Sequence, residues 1–123
     1  MSYHVLIIAH VTGLALTFMG LAGVLGMKMS SQTRPKQRWV FFAAHGVGLL
    51  LLLVSGFMLV AKSGLMGGGH FLPGWVLAKL GIWMLAGGAT VLASRLSRYA
   101  AFVLLIFAVL VAAATWLAIA KPF

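Results

Sequence analysis

The chain has 123 residues, of which 63% are hydrophobic and 7% charged. A soluble domain carries about 25% charged residues, so this surface must be solvated mostly by lipid. There is no Asp, no Glu and no Cys, which excludes carboxylate proton relays, paired-carboxylate catalysis, side-chain Ca²⁺ or Mg²⁺ sites, disulfides and thiolate chemistry.

In a soluble protein the net charge of +9 would point to nucleic acid. Here the cations sit at the ends of apolar runs. They read as orientation signals and contacts to anionic headgroups, and no nucleic-acid partner is expected.

A spanning helix needs about 20 mainly apolar residues. Four runs qualify: 3–27, 39–61, 74–94 and 99–120. They predict an all-α integral membrane protein, a single antiparallel bundle of four transmembrane helices. The first run has no basic segment before it. Its cations follow it, beginning at Lys28, so it reads as a retained helix rather than a signal peptide.

The connection 28–38 carries Lys28, Arg34, Lys36 and Arg38. Pro35 is expected to stop a helix from running through it. The connection 62–73 (KSGLMGGGHFLP) is Gly-rich and has one Lys, and 94–98 carries Arg95 and Arg98. Against these six cations the other side offers Lys62 and Lys121, with Lys79 slightly inside its helix. The basic loops are therefore expected in the cytoplasm, with both termini periplasmic, in a bacterial inner membrane. Trp39, Trp75, Tyr99 and Trp116 fall near run ends, as an aromatic belt requires.

In lipid, inward faces are marked by small and polar residues. The first run aligns Ala9, Gly13, Thr17 and Gly20, with His10 beside them. The second aligns His45, Gly48, Leu52 and Ser55, and the third Lys79, Trp83, Ala86, Thr90 and Ser94. The fourth offers Ala108, Ala112 and Thr115, a packing stripe without ionisable groups.

Ionisable residues within spans are functional suspects. Lys79 has no acidic partner anywhere in the chain. It extends to the outer interface, is kept neutral by desolvation, or meets a counter-charge from a ligand or another subunit. His10 and Lys79 lie at similar depth from the outer side, and His70 immediately precedes the third run. These three are expected to form one site. His45 enters from the cytoplasmic side, roughly 15 Å from His10 in depth. That separation argues against both on one iron, and Met19 is the nearest soft residue at the His45 level. A flat porphyrin suits such a bundle. Glycines leave room, neutral His ligates iron, and cations meet the propionates.

The runs AAHGVGLLLLLVSGFMLVAK (43–62) and PGWVLAKLGIWMLAGG (73–88) resemble the SirB family of small bacterial membrane proteins. The resemblance rests on His45, on Ser55-Gly56, and on Trp75 to Lys79. Gly48 stands where that family's pattern often carries an Asp, so no role needing that carboxylate is implied. The chain is also similar to the HemJ family of protoporphyrinogen oxidases, through His10 and the sequence Gly74-Trp75-Val76-Leu77-Ala78-Lys79. The resemblances cover about residues 4–95. They imply haem b as cofactor, held by His10, His45, Lys79 and His70 with the two first-named as metal ligands, in electron transfer or porphyrin oxidation. The competing expectation is a non-catalytic accessory subunit of a larger membrane complex, completed by self-association or by other membrane subunits. A small-anion transporter is less favoured, because so short a chain offers little pathway unless it oligomerises.

The charge count makes a topological prediction. With cysteine placed at position 30 or 63, a membrane-impermeant thiol reagent applied outside should label Ser63→Cys and spare Ser30→Cys. Equal or reversed labelling would overturn the orientation.

Overall fold

The structure is a computed structural model and describes residues 2–29, 35–62, 74–95 and 97–120. Its elements are α1 (Tyr3–Met29), α2 (Pro35–Lys62), α3 (Gly74–Gly87), α4 (Ala89–Arg95), a 3-10 turn (Ser97–Tyr99) and α5 (Ala100–Ala120). The described residues contain no strand. Four stretches are long and apolar enough to cross a membrane, Tyr3–Met27, Trp39–Lys62, Gly74–Leu92 and Ala100–Ala120. The chain is a multi-pass, all-α membrane protein. The short connections join α1 to α2, and α4 to α5, as antiparallel neighbours.

Two boundaries differ from expectation for identifiable reasons. Pro35 starts α2 rather than keeping the helix away from the first connection. At the first helical position its missing N–H would be unpaired anyway, and its φ already suits the helix. The third span is not one rod, because α3 ends at Gly87 and α4 begins at Ala89. Adjacent glycines are poor helix formers and common kink sites. The interruption is slight: Gly88 N donates to the carbonyls of Met84 (3.2 Å) and Leu85 (3.1 Å), and Leu92 N donates to that of Gly88 (3.1 Å).

The packing is uneven. The tightest pair is α1 with α2, where glycine backbone meets backbone. A Cβ at position 48 would lie 2.5 Å from the Thr17 nitrogen and 2.6 Å from the Gly13 carbonyl oxygen. One at position 20 would lie 2.5 Å from the His45 nitrogen. Leu21, Val24 and Leu25 of α1 then meet Ala86, Ala89, Ala100, Val103 and Phe107 in one apolar cluster. A smaller cluster, Trp75, Val76 and Leu117, ties α3 to α5 near the other end. The outward surface is apolar too, with Trp39, Met84 and Ile119 at 70%, 71% and 79% exposure.

The expected α5 stripe is corrected. Ala108, Ala112 and Thr115 are exposed, while Ala100, Val103, Phe107 and Leu117 are buried. In a helix this rich in Ala, small residues mark no particular face. Contact with α3 and α4 instead selects the residues that fill space.

Gly20→Ala and Gly48→Ala should each destabilise the bundle by about 1–3 kcal/mol, the usual cost of overpacking. Gly81→Ala, whose Cβ would meet nothing within 4 Å, should be neutral or slightly stabilising. Denaturant titration in micelles, followed by circular dichroism, reads the difference. Equal behaviour of all three variants would refute close α1–α2 packing.

Candidate functional site

A cavity of about 330 Å³ lies between α1, α2, α3 and α5. It extends from Trp75 and Val76 of the smaller cluster to Ala86 and Phe107 of the larger one. Its walls are almost wholly apolar, and two ionisable side chains, His10 and Lys79, line it. The structure thus places two members of the expected site on the wall of one cavity. His70 lies outside the described residues.

The His10 ring is oriented by a relay. Ser55 Oγ donates to the Leu51 carbonyl one turn back along α2. With its hydrogen so committed, that oxygen accepts from His10 Nδ1 at 2.9 Å. The neutral ring therefore carries its hydrogen on Nδ1 and its lone pair on Nε2. In metal-ligating histidines one ring nitrogen is held by such a contact and the other binds the metal. Gly56 completes the support, because a Cβ there would lie 3.4 Å from the ring's Cε1.

His45 has a different setting. It is 3% exposed. Nδ1 lies 2.9 Å from the Thr17 carbonyl oxygen on α1, and Nε2 lies 3.1 Å from that of Ala86 on α3. Both nitrogens face acceptors; a neutral imidazole carries one hydrogen, so the ring donates to one of these carbonyls and packs against the other, with no lone pair directed into open space. His45 bridges three helices, and its α3 neighbour Ala86 lies two residues before the break at Gly88. The sequence could not reveal this, because the acceptors are main-chain atoms of other helices. Met19, the soft residue at that level, is 58% exposed and faces away from the bundle interior.

Two supporting contacts carry weaker sequence signals. Trp83 Nε1 donates to the Leu49 carbonyl at 2.9 Å, joining α3 to α2 beside the cavity. Thr17 Oγ1 donates to the Gly13 carbonyl at 2.8 Å, which satisfies a hydroxyl that is fully buried. Among the described residues no buried side-chain polar atom lacks a partner.

The described residues contain no group of three or more His, Cys, Asp or Glu side chains that could hold a bare metal ion. A metal already held in a macrocycle makes a smaller demand, one or two axial donors, and His10 Nε2 meets it. The donor set and apolar walls fit a haem. The volume fits it in part. A 150 Å³ cavity takes a benzene, so 330 Å³ encloses about a dozen non-hydrogen atoms at the same ratio. A porphyrin has several times that number, and its remaining edge would project from the cleft. Comparisons with protein-family models, curated proteins and solved structures find no match to this chain.

The two histidines should separate by stability. His45→Ala abandons two buried carbonyl contacts and should cost about 1–3 kcal/mol. His10→Ala, at the cavity wall, should cost clearly less by the same unfolding titration. Equal losses would refute this division of roles.

Proposed function

We propose that this chain is a small inner-membrane protein that binds haem b in the cavity between α1, α2, α3 and α5. It would serve electron transfer or porphyrin-related redox chemistry, with periplasmic termini. The observation that carries this reading is His10, held by Ser55 on the wall of an apolar cavity that Lys79 also lines. His10 would hold the iron, and Lys79 would meet a propionate. The bound group would supply a one-electron redox centre. The protein's own contribution is orientation of the imidazole, exclusion of water by aromatic and aliphatic walls, and a compensating cation.

A second reading keeps the same residues. Lys79 has no acidic partner in the chain, so a carboxylate from another subunit would also compensate it. The protein would then be an accessory subunit, and stoichiometric copurification of a membrane partner would support that.

Absorption spectroscopy with a pyridine haemochrome assay tests the proposal. Wild-type protein expressed with added haem should show a Soret band. His10→Ala should lose at least about 90% of it. Ser55→Ala should lower haem affinity about 10–100-fold, the usual effect of removing a metal ligand's supporting contact. Lys79→Arg should keep the spectrum if Lys79 meets a propionate. It should change it if the amine is an axial ligand, since guanidinium has no lone pair to offer. A colourless wild-type protein would overturn the reading.

A further inference from the structure

The cavity's exposed wall lies on two helices only. Val11 of α1 and Thr115 and Ile119 of α5 line the cavity and are exposed. Val11 and Ile119 reach 58% and 79%. A residue that is both wall and outer surface marks an opening. The lining residues of α2 and α3 are all at least partly covered, and on that side the Trp83 indole is bonded across to Leu49.

The α1–α5 gap has a floor. Toward the cytoplasmic half the Phe18 and Phe107 rings meet at 5.8 Å between centroids, and Phe107 lines the cavity above that contact. Over the rest of their length α1 and α5 touch only lightly. The small side chains Ala114 and Ala118 line α5 there. The mouth thus opens sideways along apolar helix faces that lie within the candidate membrane spans.

From this geometry we infer that the cavity is loaded from the bilayer through the α1–α5 gap by an amphiphile bearing a carboxylate. The apolar walls take its body. His10 and Lys79 take its head, in a chain that has no acid of its own to occupy Lys79. The inference rests on the same site as the haem proposal. A membrane fatty acid and a tetrapyrrole propionate share the chemistry, and the test separates them.

The experiment uses the full chain in nanodiscs, with Trp39→Phe and Trp116→Phe so that the cavity residues Trp75 and Trp83 report. Palmitate brominated in mid-chain is titrated and fluorescence quenching followed, with its methyl ester in a parallel series. Quenching by the acid should saturate at least tenfold below the ester. Lys79→Gln should erase that preference. Ala118→Phe, which narrows the mouth, should slow loading at least several-fold. Val11→Phe provides the same test from α1 if that variant misfolds. Added protoporphyrin that displaces radiolabelled palmitate from the same nanodiscs identifies the tetrapyrrole as the better occupant. Absence of displacement identifies the fatty acid, and either result supports the inference. Acid and ester that quench alike, in linear proportion to their content in the bilayer, would overturn it. A saturating, acid-selective response in protein that never gains a Soret band would leave this inference standing and remove the haem reading. A Soret-positive protein with linear, unselective quenching would do the reverse.

Discussion

Gly13, Gly20 and Gly48 let α1 and α2 approach until main chain touches main chain. In lipid there is no water to expel between helices, so association depends on dispersion contacts and interhelical hydrogen bonds. Both need close approach. The short reach of Ser55 Oγ and of the His10 ring is enough only because the backbones are this near. The His10 tautomer is therefore a consequence of the glycines as much as of Ser55. A wider α1–α2 spacing would leave the ring unheld and place its Nε2 at no fixed point in the cavity.

The other half of the bundle is held differently. Here α3 packs on α5 through Trp75, Val76 and Leu117, and Ala86 and Ala89, on either side of the break at Gly88, join the cluster around Phe107. His45 of α2 lies against main-chain carbonyls of α1 and, just before that break, of α3. Polar side chains in membranes are costly unless partnered. A histidine with two carbonyl neighbours thus gives strong positional information about three helices at once. Tight packing at the two clusters with a void between them is the result. The void survives because its walls are fixed by contacts made elsewhere.

Much of the architecture was legible from composition. Runs of about 20 apolar residues with cations at their ends leave few alternatives in lipid, where every main-chain polar group must be satisfied within the fold. The small-residue stripes also marked the faces on which Gly13, Gly20, His45 and Gly48 lie, though not which of them meet. The α5 stripe failed, since Ala is too frequent in 100–120 to mark a face. The break at Gly88 was available in the Gly87-Gly88 pair but competed with a continuous apolar run. Of the candidate site, the pairing of His10 with Lys79 was readable from depth alone. Their separation from His45 in role was not, because hydrogen bonds to main-chain carbonyls leave no trace in side-chain pattern.

Charge gives the site its remaining character. A cation on the wall of an apolar cavity is expensive in isolation, and in most proteins a nearby carboxylate would offset it. This chain contains none, so no rearrangement of its own residues can supply the missing anion. Lys79 lies only five residues past the start of α3, near enough to the membrane surface for its amine to find water when the cavity is empty. An entering anion would draw the same amine inward and replace that hydration with a direct charge-assisted contact. With such a ligand the cavity would have two electrostatic states set by one side chain, and the bound state would be the one in which the lysine, His10 and the apolar walls are all used together.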